Sequence, residues 1–119
     1  MTKAVDEDLY GFQIATKVIS EGIAASQLAK AQGARWLDIN CGCPIYEATR
    51  RGLGAVLLRK PRSLAKLVHG IASESDLPVT VKVRLGENEK KVNVDRVVKL
   101  LSAAGAAAVT VHGRTMEQR

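Results

Sequence analysis

Asp38-Ile39-Asn40-Cys41-Gly42-Cys43-Pro44 carries an apolar segment into polar side chains, a glycine, a thiol and a proline within one turn's length. A strand ends there. Successive side chains of a strand alternate, so Leu37 and Ile39 face one side while Asp38 and Asn40 face the other. Gly42 permits backbone geometry closed to other residues and Pro44 removes a donor, which sets the thiol of Cys43 on a rigid turn beyond the strand's carboxyl end. Parallel α/β folds keep their chemistry at that end.

Outward from this turn, the chain reads as strand, helix, strand, helix, strand, helix, strand. Leu9 to Ala15 is a short strand with Phe12 and Ile14 on one face and Gln13 on the other. Val18, Ile19, Ile23, Ala24, Leu28 and Ala29 recur at helical spacing, and Gly33 closes that helix. Trp36 to Asn40 is the second strand. Ile45 to Gly54 is a loop carrying Arg50 and Arg51, and its Gly52-x-Gly54 is weak evidence for a phosphate site. Pro61 and Ser63 precede a helix with the stripe Leu64, Leu67, Val68, Ile71 and Ala72, with His69 off that stripe as a solvated residue. Val79 to Leu85 is the third strand. Asn93 caps a helix with the face Val94, Val97, Val98, Leu101 and Ala104, which Gly105 ends. Ala107 to Val111 is the fourth strand. This order is that of a parallel α/β fold.

An internal echo sharpens the reading. Thr80-Val81-Lys82-Val83-Arg84 and Thr110-Val111-His112-Gly113-Arg114 each set valine on one face against polar residues on the other. A parallel strand covered on both sides is apolar on both. By the same parity Gln13, Asn40, Lys82 and His112 form a set, one per strand, near the carboxyl ends. Any one of them alone reads as a loop cap or a solvated end; four in parallel register read as a site for a planar, polar ligand. A lysine among valines costs several kcal/mol when buried without an anion, so Lys82 is expected to meet one.

Composition agrees. The chain has 119 residues, 46% hydrophobic, enough for one modest domain with a core of Ala, Val, Leu and Ile. A formal charge of +6 fits a polyanionic partner or simply a basic surface. Cys41 and Cys43 are too close in sequence for an ordinary disulfide, and Cys-x-Cys without further ligands disfavours a metal site. Cys41, of opposite parity to Asn40, reads as a structural thiol. No apolar run has the length to span a bilayer and no leader opens the chain, so the cytoplasm is the expected compartment, with an organelle open if a leader has been lost.

Taken together, Gly11-Phe12-Gln13-Ile14, Asp38 to Pro44, Gly52 to Leu58, Val79 to Gly86 and Val109 to Thr115 resemble the tRNA-dihydrouridine synthases, FMN-dependent TIM-barrel enzymes. The tail Glu117-Gln118-Arg119 is similar to that of the eukaryotic-type members. The resemblance implies an α/β fold, with residues 1–119 as an internal piece of a TIM (β/α)8 barrel comprising about four parallel strands and the helices between them. The family's first strand, its later Gly-rich FMN-phosphate segments and its helical tRNA-binding domain have no counterpart here. It implies Cys43 as the catalytic cysteine and Gln13, Lys82 and His112 as FMN-binding residues, with Asn40 beside flavin and substrate. In family terms NADPH reduces the flavin, which passes a hydride to carbon 6 of a tRNA uridine, and the Cys43 thiol protonates carbon 5 as general acid. Arg50, Arg51, Arg84 and Arg114 would hold tRNA phosphates, with pairing to Glu87 and Glu117 as the other reading of Arg84 and Arg114. The parent is expected to be monomeric, and the piece alone inactive. Two other readings stay open: an FMN barrel acting on a free pyrimidine, and a truncated product without activity.

Overall fold

Glycine and proline set the ends of the helices. Pro61 occupies the first turn of its helix, where its missing N–H is no loss, and Gly33 (φ 86°) and Gly105 (φ 111°) take the left-handed geometry that follows a helix's last turn. The computed structural model describes residues 10–41, 60–84 and 93–113. Within them lie β1 (Gly11–Ile14), α1 (Ile19–Ala31), β2 (Trp36–Cys41), α2 (Pro61–Glu74), β3 (Val79–Arg84), α3 (Val94–Ala104) and β4 (Ala108–His112).

The four strands are all parallel and lie in the order β1-β2-β3-β4. Each crossover therefore steps the same way, and crossovers of one hand that step one way leave every helix on the same side of the sheet. That is observed: α1 packs on α2 and α2 on α3. A doubly wound sheet would instead reverse direction and cover both faces. Leu37, Ile39 and Cys41 of β2 and Val79, Val81 and Val83 of β3 are buried with Leu64, Val68 and Ile71 of α2 and Val97 and Leu101 of α3. Each such aliphatic side chain contributes about 1.5–3 kcal/mol by leaving water.

The sequence-based elements need adjustment at their ends, and β2 runs one residue past Asn40, to Cys41. β1 is shorter than Leu9 to Ala15. α2 begins at Pro61 itself, so Pro61 and Ser63 lie inside the helix rather than before it. β4 runs on to His112, which is thus a strand residue. Asn93 holds the N-cap position of α3 but its side chain makes no capping hydrogen bond.

The largest departure is the face that α1 turns inward. The large apolar residues Val18, Ile19 and Leu28 are exposed, at 41%, 41% and 52%. The buried residues are Gly22, Ser26 and Ala29. Small residues win because α1 lies close against α2: a side chain at Gly22 would collide with Ile71, and one at Gly70 with Ile19. Gly22→Ala is accordingly expected to lower stability. Its helix-propensity gain of about 1 kcal/mol is offset by an overpacking cost of about 1–3 kcal/mol. Gly22→Val, which is bulkier and keeps less of the propensity gain, should lower the melting temperature further, and adding Ile71→Ala should recover part of the loss.

Candidate active site on the inner face of the sheet

Alternation leaves the face away from the helices to Gln13, Asp38, Asn40, Thr80, Lys82, Thr110 and His112. Register then places them in rows. Gln13 pairs with Asp38, Asp38 with Thr80, and Thr80 with Ala108. The next row holds Asn40, Lys82 and Thr110, and the next Arg84 and His112.

Gln13, Asn40, Lys82 and His112 thus share a face but form a diagonal: His112 lies four residues past Ala108, the residue in the row of Gln13. An eight-stranded barrel of shear 8 advances by about one residue per strand at constant height. Over three strand-to-strand steps the diagonal therefore carries these residues toward a common level.

An open depression of about 510 Å³ lies over this face, lined among others by Gln13, Trp36, Asp38, Thr80, Lys82 and Thr110. Its lower wall is aromatic, because Gly11 has no side chain to keep the Trp36 ring away. Asp38 anchors the polar part. Its carboxylate accepts a hydrogen bond from Gln13 Nε2 at 2.8 Å and another from Thr80 Oγ1 at 2.7 Å, so three adjacent strands are tied across one row. Lys82 is half-buried, and its ammonium makes no hydrogen bond or ion pair among the described residues. That cation, beside acceptors already in use, fits the acidic or carbonyl edge of a planar ligand.

The remaining candidates divide. Arg84 is 8% exposed and engaged within the protein, which corrects its expected position at an open mouth for tRNA phosphates: a buried guanidinium does not reach a polyanion's backbone. His69 is exposed, with Nδ1–H donating to the Ala104 carbonyl at 3.2 Å, and tethers α2 to the end of α3. Cys43, Arg50, Arg51 and Arg114 lie outside the described residues. Among the described residues no group of three His, Cys, Asp or Glu side chains could hold a metal ion, and no helix is long and apolar enough to cross a membrane.

Asp38, Thr80 and Trp36 were given no role by the sequence. Their parity with Asn40 and Lys82 was readable, but which residue of one strand faces which of the next was not.

Cys41 is fully buried on the helix side, and its thiol is pushed up to about 12 by burial and, secondarily, by the negative charge of Asp38. Only the thiolate is nucleophilic, so Cys41 is expected to resist alkylation in the native protein at pH 8 and to react once unfolded, as mass spectrometry would register. The unfolded chain releases this proton near 9.0 and the folded chain near 12, so the group leaves stability unchanged below 9.0 and lowers it as pH rises between the two.

A parallel sheet wound in one direction, with helices outside and a polar inner face, is a segment of a (β/α)8 enzyme barrel. The dihydrouridine synthase (Dus) family model matches residues 1–119, and the chain belongs to that family. It is 44% identical over 94 residues to a Synechocystis protein named "Probable tRNA-dihydrouridine synthase 1", an alignment covering 79% of this chain and 26% of the relative. It is 41% identical over 117 residues to tRNA-dihydrouridine(47) synthase (NAD(P)(+)) of Debaryomyces hansenii, covering 92% of this chain and 18% of that one. It is 36% identical over 94 residues to tRNA-dihydrouridine synthase B of Proteus vulgaris, covering 79% and 29%. The chain thus spans between 18% and 29% of the length of these relatives.

Proposed function

We propose that this chain is the flavin-holding part of the catalytic barrel of a tRNA-dihydrouridine synthase, which reduces a uridine of tRNA to dihydrouridine with NADPH as the source of reducing equivalents. The observation that carries the reading is Lys82. It is a cation among valines, on the inner face, without a partner among the described residues, in register with Asn40 and lining one depression with Gln13.

The residues fit FMN. Gln13, Asn40, Lys82 and His112 would hold it, and the flavin, once reduced by NADPH, would supply a hydride to carbon 6 of the uracil. Lys82, half-buried beside the valines, would stabilise negative charge on the reduced ring as a fixed cation. Cys43 Sγ–H gives its proton to carbon 5, which balances the addition of hydride and proton across the double bond. A thiol suits that task because it is mostly protonated at neutral pH. Arg50, Arg51 and Arg114 would hold tRNA phosphates around a uridine drawn out of its stack. The buried Arg84 stays within the protein.

The test is the dihydrouridine content of tRNA from cells with and without the gene. Loss of dihydrouridine at one or more positions on deletion, restored by the full-length gene, is expected. Unchanged content would reject the reading, and flavin absorbance of the purified full-length protein would then separate a flavin enzyme of free pyrimidines from an inactive product.

A further inference from the structure

Asp38 binds nothing in the scheme above, yet its carboxylate sits at the centre of the inner face and receives hydrogen bonds from both neighbouring strands. A carboxylate only accepts, so it dictates which end of each partner turns toward it. Gln13 must present its NH2 group to Asp38, which fixes the flip of an otherwise ambiguous amide. One of the two amide hydrogens is used, and Oε1 and the other N–H remain. A side-chain amide with one acceptor and one donor matches an imide edge, a carbonyl beside an N–H, as in the pyrimidine ring of a flavin. Gln13 is exposed, on the outermost of the four described strands, with nothing else among the described residues to hold it.

We propose that Asp38 is a positioning residue that holds the Gln13 amide in one fixed flip, with Oε1 and the second N–H left to meet an imide-edged ligand. This rests on the reading of the depression as the FMN site. Asp38, though it lines the same depression, acts through Gln13.

The experiment is a double-mutant cycle on FMN dissociation constants, measured by flavin fluorescence in the full-length protein as wild type, Asp38→Ala, Gln13→Ala and the double variant. Each single variant is expected to weaken binding by about tenfold, the worth of one hydrogen bond involving a charged group. The double variant should be no weaker than Gln13→Ala alone. Asp38→Asn is expected to stay within about twofold of wild type, because its Oδ1 still accepts from Gln13 while its Nδ2 donates to a Thr80 hydroxyl that reverses. Where Asp38→Ala does not fold, the apolar near-isostere Asp38→Leu takes its place in the cycle. Losses that multiply in the double variant, or an Asp38→Asn loss as large as that of Asp38→Ala, overturn the proposal and leave the FMN site standing. A wild-type protein that binds no FMN, or a Gln13→Ala variant with undiminished affinity, overturns the site and the proposal with it.

Discussion

Lys82→Met is expected to leave the melting temperature of the full-length protein unchanged or raised, while dihydrouridine formation falls by about 10²–10³-fold. The two halves of that result have separate physical grounds. Lys82 makes no hydrogen bond or ion pair among the described residues, so its removal strands no buried partner, and a methionine of similar length covers the same apolar surface without the desolvated charge. The activity loss reflects a cation placed where charge develops during the reaction. A lysine that merely supported the sheet would give the opposite pattern, with stability and activity falling together. Lys82→Arg should recover only part of the rate, because a planar, forked guanidinium does not occupy the position of a compact ammonium. Steady-state rates on unmodified tRNA beside thermal melts of the same preparations distinguish the two patterns.

Cys43→Ala is expected to separate the two half-reactions. NADPH-driven bleaching of the flavin should continue at about the wild-type rate, because the residues proposed to hold the flavin are untouched. Reduction of tRNA should fall by about 10²–10⁴-fold, the span over which a positioned general acid contributes. Stopped-flow absorbance follows the first process, and dihydrouridine formed in a single turnover follows the second. Undiminished tRNA reduction would remove Cys43 from the mechanism. The neighbouring Cys41 makes a useful control: its thiol is buried on the helix side, and Cys41→Ala should lower stability with little effect on the proton transfer.

How much of this was legible in the letters depends on whether the determining physics is local. The strands of the site were readable because valine alternating with Thr80, Lys82 and Arg84 admits one assignment of faces, and the same rule put Asn40 and His112 on the same side. The winding of the sheet was readable only through family resemblance, since strand order is set by crossovers that no short stretch encodes. The inward face of α1 keeps Ala29 of the apolar stripe but otherwise departs from it, for a clear reason. Counting large apolar residues selects Ile19 and Leu28, whereas Gly22 is buried because Ile71, far along the chain, needs the space. The Asp38 network is not legible in the sequence on similar grounds, for Gln13 and Thr80 become its neighbours through strand register alone. Arg84 was expected to follow parity to an open mouth, but a strand residue near a loop is covered or uncovered by what lies beyond it, and it is buried.

The indole lying across Gly11 has an optical consequence. Trp36 is the sole tryptophan of these 119 residues and borders the same depression as Lys82 and Gln13. Its emission overlaps the absorption of an isoalloxazine, so a flavin arriving there quenches it by energy transfer. In a full-length protein with its other tryptophans replaced, this one ring becomes an internal gauge of occupancy, read without a label and on the timescale of mixing.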